Sequence, residues 1–290
     1  MTDRPRGQPA SPMDLRGRRA LVTGASAGIG EAFARRLADA GCDLVLTARR
    51  LDRLESLAAE LRASHGVAVE VIAADLGVPA DVERLCAAAS AGRVDVLINN
   101  AGFGVVTEFG DTEWSRHADF MQVMMLAVVR LTHCLASGMR ARGYGRIVQV
   151  ASLAALLPGS PSNTLYAAIK AFLVRFSESL AAELAGTGVR VLALCPGLTR
   201  SEFHSASDLR DNVSFAPPWL WQTSDEVAAE GLSALARGEI VHVTGRANRI
   251  AAWLARHLPP GVVRAMMSQR PRGAPESSAP ARNPGAAEAP

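Results

Sequence analysis

The chain has 290 residues, of which 49% are hydrophobic and 20% are charged, and its formal net charge is +3. This length and apolar content are enough to bury one substantial core. The small net charge, without a cluster of basic residues interleaved with aromatic ones, argues against nucleic-acid binding.

Short apolar runs alternate with longer amphipathic segments between residues 14 and 245. The apolar runs predict strands at 20–23, 44–47, 67–73, 94–98, 146–150 and 189–194, with a weaker one at 240–243. Helical periodicity predicts helices near 28–40, 50–64, 79–91, 112–140, 165–185 and 224–236. Strands joined by crossover helices form parallel sheets, and continuously apolar strands are covered on both faces. We therefore predict a single α/β domain, a doubly wound parallel sheet of Rossmann type with helices on both faces.

A glycine-rich turn follows the first predicted strand. Glycine lets backbone N–H groups approach a pyrophosphate closely, and the following helix N-terminus adds unpaired donors and partial positive charge. The strand before the turn and the helix after it supply the context that this motif requires. The sequence therefore predicts a dinucleotide phosphate site formed by Thr23, Gly24, Ser26, Gly28, Ile29 and Gly30.

The end of the second predicted strand indicates which dinucleotide is bound. An NAD-preferring dehydrogenase usually has a carboxylate there for the ribose 2′-hydroxyl, whereas a basic group accommodates a 2′-phosphate. Ala48 stands at the acidic position and Arg49 follows it. The charge predicts a preference for NADP, with NAD as the alternative cofactor. One of Arg49 and Arg50 could instead be a solvated charge at the helix start.

A Tyr-x-x-x-Lys pair lies in the helix predicted at 165–185. Tyr166 and Lys170 are four residues apart, so they share one helix face. A lysine ammonium beside a phenol favours the phenolate and lowers its pKa from a reference of about 10 toward neutrality. Such a tyrosine can donate a proton to a carbonyl oxygen or remove one from an alcohol. Ser152, at the end of the fifth predicted strand, has a hydroxyl that could orient the reacting oxygen.

These motifs in this order, with Asn99-Asn100-Ala101-Gly102 between them, resemble the short-chain dehydrogenase/reductase family, in particular bacterial ketone, fatty-acyl and steroid reductases. The resemblance extends over roughly residues 14–270. It implies hydride transfer between a nicotinamide and a carbonyl or alcohol, and assembly as a homodimer or homotetramer. It implies that Ser152, Tyr166 and Lys170 are catalytic, and that the cofactor also contacts Asp75, Leu76, Asn99, Ala101, Gly102, Tyr166, Lys170, Pro196, Gly197 and Thr199.

The chain departs from the family pattern at Met124, where the family usually has an Asn. That Asn is thought to kink the helix and to hold a water beside the lysine. A thioether is a weak acceptor and no donor, so it cannot take over this role. Two functions therefore stay open: an NADP-preferring oxidoreductase, or a catalytically weak sensor or scaffold that binds NADP(H).

The segment 202–222 is rich in aromatic residues, Pro and polar residues, among them Trp219 and Trp221. A flexible lid with aromatic anchors suits an apolar ketone or acyl substrate. A loop that uses these aromatic residues to pack on its own domain has the same composition.

The two ends of the chain differ from the central domain. Residues 1–13 predict a flexible arm, and the low-complexity residues 271–290 predict a disordered tail. Residues 246–270 form a basic extension in which Ile250 and Trp253 belong to an apolar helical stripe. This extension could cover the substrate pocket, join a dimer or lie on an anionic membrane surface, with packing on its own domain as the default.

Cysteine usage and hydropathy bear on the location of the protein. The 4 cysteines are far apart in the sequence, and scattered cysteines without a recognisable signal peptide are typical of the reducing cytoplasm. No uninterrupted apolar run approaches the roughly 18 residues needed to span a bilayer. The 6 histidines show no ligand spacing. We therefore predict a cytoplasmic protein without a metal site.

Overall fold

A parallel sheet forms the centre of the structure, a computed structural model that describes residues 13–104, 108–159, 164–202, 217–259 and 261–263. The strands are β1 (Arg19–Thr23), β2 (Asp43–Thr47), β3 (Val69–Val71), β4 (Val96–Asn99), β5 (Gly145–Val150), β6 (Val189–Cys195), β7 (Thr199–Arg200), β8 (Gln222–Thr223) and β9 (Val241–Val243). Within the described residues, 7 strands form one sheet in the order β3-β2-β1-β4-β5-β6-β9. Each neighbouring pair in this sheet is parallel, and β7 pairs with β8 separately.

Helices cover both faces of the sheet. They are α1 (Gly28–Asp39), α2 (Leu51–His65), α3 (Pro79–Ala91), α4 (Trp114–Met121), α5 (Ala127–Ala141), α6 (Thr164–Glu183), α7 (Ser224–Arg237) and α8 (Arg246–His257). One apolar core includes Phe33 and Leu37 of α1 with Leu54 of α2. A second core includes Leu85 of α3 and Leu131 of α5. The predicted doubly wound fold of Rossmann type is therefore confirmed.

The helix predicted at 112–140 is one helical stretch with an internal irregularity. Between α4 and α5, the residues Gln122–Leu126 form a π turn, in which Ala127 N–H donates to the Gln122 carbonyl. The most apolar 18-residue window within the stretch Trp114–Ala141 has a mean hydropathy of 1.4, so by length and composition alone the stretch could cross a membrane. Its inner side packs on α3 and on the sheet, which accounts for that apolar composition.

The strand order positions the functional site. From β1 the chain runs outward through β2 and β3, then returns to place β4 on the opposite side of β1. In open α/β sheets, ligands bind outside the carboxyl ends of the strands at such a switch point. The turns after β1 and β4 meet at this edge of the sheet.

Four predicted segments lie wholly or partly outside the described residues: the N-terminal arm up to residue 12, residues 203–216 of the lid, residues 260 and 264–270 of the basic extension, and the tail at 271–290. The described end of the lid contains a short helix, Pro218–Leu220, in which Trp219 is exposed. The described part of the basic extension contains α8, which packs on a short helix at Leu153–Leu156.

Candidate active site

The turn between β1 and α1 is closely packed against the turn after β4. Gly24 and Gly28 have φ values of +67° and +60°, in the left-handed region that favours glycine. A Cβ on Gly30 would overlap the Gly24 carbonyl oxygen and lie 2.5 Å from Asn100 Nδ2. A Cβ on Gly24 would lie 2.9 Å from Ala101 Cα. Glycine is therefore required at these positions by backbone conformation and by space.

The first turn of α1 is suited to bind an anion. Its N-cap is Ala27, which has no side-chain oxygen and makes no capping hydrogen bond, so the first backbone N–H groups keep their donors available. Ile29 is partly buried and packs on the neighbouring core, which directs the helix start toward the sheet edge. This cradle fits the pyrophosphate of a nicotinamide dinucleotide.

Thr23 and Asn100 connect the ends of β1 and β4. The Thr23 hydroxyl donates to the Ile98 carbonyl at 3.2 Å. The same oxygen accepts from the N–H groups of Asn100 and Ala101 at 2.9 and 3.0 Å. Asn100 Nδ2 donates in turn to the Thr23 carbonyl at 3.0 Å. Asn100 was not among the predicted site residues, although it stands inside the motif that suggested them.

Asn99 faces the protein interior. Its Nδ2 donates to Thr132 Oγ1 at 3.1 Å and to Gln149 Oε1 at 2.9 Å. This buried network connects β4, β5 and α5. The side chain of Asn99 therefore stabilises the sheet. Of the predicted residues in this motif, Ala101 and Gly102 lie in the turn after β4, at the edge of the sheet where the cofactor is expected to bind.

A basic side chain reaches the phosphate turn, and it belongs to Arg50. Its Nε and Nη2 donate to Ser26 Oγ at 3.2 and 3.0 Å. Arg50 also forms an ion pair with Glu202 at 2.8 Å, and Glu202 pairs with Arg53 at 2.6 Å. Arg49, the residue singled out from the sequence, has an exposed side chain. The helix start at Leu51 decides which of the two arginines points toward the turn.

Asp75 and Leu76 shape the loop after β3. Asp75 Oδ1 accepts from Gly77 N–H at 2.9 Å, a local turn typical of Asp. Helix α3 has Val78 as its N-cap, so the Asp75 side chain does not cap this helix. The Leu76 carbonyl accepts from Gln122 Nε2 at 3.3 Å, which ties this loop to the π turn.

Ser152, Tyr166 and Lys170 converge at the carboxyl end of β5. Lys170 is buried, and its Nζ donates to the Val150 carbonyl at 2.7 Å. The same Nζ lies 5.6 Å from the centroid of the Tyr166 ring. The Ser152 side chain is hydrogen-bonded to Tyr166 and accepts from Ala154 N–H at 3.2 Å. A tertiary arrangement thus brings together a proton donor, an ammonium group and an orienting hydroxyl.

Burial sets the protonation of this group. Burial raises the pKa of the Tyr166 phenol above its ordinary value of 10.0, and the hydrogen bond from Ser152 opposes part of that rise. Burial also lowers the pKa of Lys170 from 10.5 to about 8. The expectation that Lys170 pulls the phenol pKa down is therefore wrong for this chain's own groups, because desolvation of the phenolate has the largest effect on the Tyr166 pKa. The phenol keeps its proton at neutral pH.

Met124 lies in the π turn, next to the tyrosine. Its side chain is buried with Phe120 and Ile169, and Tyr166 packs against this cluster. Gly102 faces the thioether, because a Cβ on Gly102 would lie 3.2 Å from Met124 Sδ. The helix departs from α geometry at Met124 although no Asn is present, so the expectation that this feature depends on the Asn side chain is wrong in that respect.

The turn after β6 closes the other side of the site. The Pro196 carbonyl accepts from Leu153 N–H at 2.8 Å, which holds this turn beside Ser152. Thr199 Oγ1 donates to the Gly197 carbonyl at 3.1 Å. A Cβ on Gly197 would lie 2.6 Å from Asn248 Cγ. Asn248 of α8 was missed from the sequence, since no motif links it to a turn 51 positions earlier.

Comparison with known proteins agrees with this geometry. The family model described as short chain dehydrogenase matches residues 18–211. The chain belongs to the short-chain dehydrogenase family. A relative of this short-chain dehydrogenase is Nodulation protein G of Rhizobium sp. (strain N33), which is 37% identical over 250 residues, covering 83% of this chain and 98% of the relative.

Two solved structures resemble this short-chain dehydrogenase over most of its length. A short-chain dehydrogenase from Sphingobium yanoikuyae in complex with NADPH has a TM-score of 0.74 and 32% identity, covering 90% of this chain and 99% of that one. The bulky-bulky ketone specific alcohol dehydrogenase from Comamonas testosteroni has a TM-score of 0.71 and 28% identity, covering 88% and 96%. The protein is therefore an NAD(P)-dependent oxidoreductase that acts on alcohol and carbonyl groups. Within the described residues, no group of His, Cys, Asp and Glu side chains is arranged to hold a metal ion.

Substitution of Gly30 tests the phosphate turn. Gly30→Ala is expected to weaken NADPH binding by at least roughly tenfold and to destabilise the fold by about 1–3 kcal/mol, because the new Cβ forces the two turns apart. Fluorescence titration with NADPH and urea unfolding measure the two effects. Gly110→Ala is the control, since a Cβ there meets nothing within 4 Å. Unchanged NADPH affinity in Gly30→Ala would contradict the assignment of this turn.

The pKa of Lys170 can be measured directly, because it is the only lysine in the chain. Selective ¹⁵N labelling of lysine yields one Nζ signal, which we expect to titrate near pH 8. Between that pH and 10.5 the unfolded chain binds more protons than the folded chain, so stability rises with pH over this window. Below pH 8 the folded state bears the full cost of burying the charge, about 3 kcal/mol.

Lys170→Met removes this cost. The variant is expected to gain stability over the wild type at pH 7, with a gain that shrinks as the pH rises toward 10.5. Urea unfolding of both proteins across this range measures the difference. A gain that stays constant with pH, or an Nζ midpoint near 10.5, would show that Lys170 is not desolvated.

Proposed function

We propose that this oxidoreductase is an NADP-preferring reductase of bulky, apolar ketones or acyl carbonyls, with Ser152, Tyr166 and Lys170 as its catalytic residues. The observation that carries the proposal is the position of the Tyr166 phenol, which is hydrogen-bonded to Ser152 and lies beside the buried Lys170. The named activity of the Comamonas alcohol dehydrogenase, which is specific for bulky-bulky ketones, supports the same substrate class.

The surroundings of Tyr166 favour an apolar substrate. Phe120, Met124 and Ile169 form a buried cluster, and Phe103 and Leu165 pack on it together with the tyrosine. A pocket with apolar walls and a few convergent polar groups binds substrates chiefly by burying apolar surface. The polar groups of Ser152 and Tyr166 then orient the single carbonyl oxygen of such a substrate.

The chain's own residues provide the proton chemistry. A bound nicotinamide supplies the hydride. Ser152 donates a hydrogen bond to the carbonyl oxygen, and Tyr166 transfers its phenolic proton to that oxygen as negative charge develops there. The resulting phenolate is stabilised by the ammonium of Lys170, which the Val150 carbonyl holds in place at 2.7 Å. A Tyr166 pKa that is raised by burial suits donation, and therefore the reductive direction.

Arg50 supports a preference for NADP. Its guanidinium donates a hydrogen bond to Ser26 of the phosphate turn. The position directly after β2, where an NAD-preferring dehydrogenase usually has a carboxylate, is Ala48. Arg49 and Arg50 are both available to a 2′-phosphate by position. Glu202 occupies Arg50 and Arg53 at once, so it competes with a phosphate for the same guanidinium.

The sensor or scaffold alternative rested on Met124. The helix irregularity at this position exists without an Asn, and Ser152, Tyr166 and Lys170 lie together. No observation on the described residues favours a function without turnover. Cytoplasmic location and assembly as a homodimer or homotetramer stay predictions.

Tyr166→Phe tests the mechanism. The variant is expected to lose NADPH-dependent reduction of bulky aryl and alicyclic ketones by roughly 10²–10⁴-fold, because the proton donor is gone. NADPH binding should stay within about twofold, since the ring remains. The matched control is Tyr144→Phe, because Tyr144 lies just before β5, at the opposite end of that strand, between the guanidiniums of Arg18 and Arg146. Turnover in Tyr166→Phe equal to that of the wild type would exclude the proposed chemistry. If the wild type itself binds NADPH tightly and shows no turnover, the sensor alternative is favoured.

Charge substitutions test the cofactor preference. Arg50→Gln is expected to lower the ratio of kcat/KM for NADPH to that for NADH by roughly 10–100-fold, as expected for loss of a hydrogen-bonded charge pair. Glu202→Gln should raise the same ratio, because it frees Arg50. Arg49→Gln is the matched control that separates the two adjacent arginines. Equal ratios in wild type and Arg50→Gln, with a fall in Arg49→Gln, would assign the 2′-phosphate to Arg49.

A further inference from the structure

Helix α8 exposes a mixed apolar and basic face. Six of its residues are exposed and recur at spacings of three and four, so they lie on one side of the helix: Arg246, Arg249, Ile250, Trp253, Arg256 and His257. At the centre of this face, Ile250 is 61% exposed and Trp253 is 59% exposed. We call these six residues the outer face of α8.

The opposite side of α8 is already anchored to the domain. Asn248 is buried, and its Nδ2 donates to the Thr244 carbonyl at 2.9 Å. Its amide also fills the space beside Gly197. Rotating α8 to bury Trp253 would withdraw Asn248 from both contacts. The exposure of Trp253 therefore follows from the way the helix is fastened.

The outer face carries uncompensated positive charge. The sequence from Arg246 to Pro275 contains no acidic residue. Arg249 forms an ion pair with Glu230 at 3.2 Å. Arg246 and Arg256 make no ion pair within the part of the chain that the structure describes. Trp253 stacks on His257, with ring centroids 4.5 Å apart, so the indole is held at the surface.

We propose that the outer face of α8 binds the surface of an anionic lipid bilayer. A helix that places Trp and Ile between arginines lies in the plane of a membrane interface, with its apolar side chains below the headgroups and its cations among them. Trp is suited to this boundary because its ring is apolar and its N–H is polar. Isolated apolar residues are common on protein surfaces, but here two large ones are adjacent and flanked by cations.

A second copy of the chain fits the outer face less well. The commonest pairing of identical chains is two-fold, and it brings the same surface patch of each copy together. Such a pair would place the arginines of one outer face against those of the other. Like charges that face each other across an interface are unfavourable, whereas anionic headgroups neutralise them.

The location of α8 gives membrane binding a consequence. The helix packs on Leu153–Leu156, the short helix that begins directly after Ser152. A bilayer on the outer face would therefore be separated only by α8 from the helix that begins directly after Ser152. Delivery of an apolar carbonyl compound from the lipid rests on the proposed function, but the binding of α8 to a membrane does not.

Vesicle flotation with the full chain tests the proposal. The wild type should float with vesicles of phosphatidylcholine and phosphatidylglycerol, bind pure phosphatidylcholine at least tenfold more weakly, and dissociate as salt rises. Trp253→Ser and the double variant Arg246→Gln/Arg256→Gln should each weaken binding by at least tenfold. Tryptophan emission should shift to the blue on binding in the wild type and lose most of this shift in Trp253→Ser.

Two variants serve as matched controls. Trp114→Ser removes a tryptophan on α4 that is 69% exposed, and Arg175→Gln removes a guanidinium on α6 that is 82% exposed. Both should bind vesicles as the wild type does. NADPH affinity and the circular dichroism spectrum of each variant check that the fold is intact.

The proposal is overturned if the wild type does not float with anionic vesicles. It is also overturned if Trp253→Ser binds as tightly as the wild type, or if the two controls lose as much binding as the α8 variants. Light scattering tests whether the outer face instead binds a second copy of the chain. A lower molar mass for Trp253→Ser than for the wild type, with unchanged vesicle binding, would show that the outer face is an interface between copies. None of these results depends on turnover, so they are separate from a failure of the proposed function.

Discussion

The contact between the turns after β1 and β4 is the constraint on which the site depends. The two strands are parallel neighbours, with Ala20, Leu21 and Val22 in register with Val96, Leu97 and Ile98, so their ends reach the sheet edge together. There the backbone of Gly30 lies against the Gly24 carbonyl, with no room for a side chain. The Thr23 hydroxyl, at the end of β1, closes the contact by bonding the backbone of Ile98, Asn100 and Ala101 at the end of β4 and in the turn after it. The start of α1, and with it the phosphate cradle, is held by this packing.

Desolvation governs the protonation of Tyr166 and Lys170 at the carboxyl end of β5. Burial shifts the pKa of both the Tyr166 phenol and Lys170 toward the neutral form, because each charged form loses hydration. Among the 31 Lys and Arg residues of the chain, Lys170 is the single lysine. Arginine keeps its charge when buried, whereas a lysine pKa moves readily. A lysine that titrates near pH 8 is therefore matched to proton transfer at neutral pH.

Met124 stands where the family usually has an Asn, which is thought both to kink the helix and to hold a water beside the lysine. The backbone irregularity at Gln122–Leu126 is present with a thioether at its centre, held by apolar packing on Phe120, Ile169 and Tyr166. The shape of the helix is therefore set by packing, and the polar function of the Asn is a separate matter. The same packing makes the surroundings of Tyr166 apolar, which links the departure from the family pattern to the proposed class of substrate.

The amino-acid sequence by itself determined the fold class and the order of strands and helices along the chain. It also determined the glycine-rich turn and the placement of Tyr166 and Lys170 on one helix face. These features depend on local periodicity and on backbone conformations that particular residues allow. The tertiary structure alone decided that Arg50 rather than Arg49 contacts Ser26, that Asn248 supports Gly197 and that Glu202 holds two arginines. It also reversed the expected shift in the Tyr166 pKa. Contacts between distant side chains and the desolvation of a single ionisable group carry no periodic signal, because they arise only when segments distant in the chain are packed together and water is excluded between them.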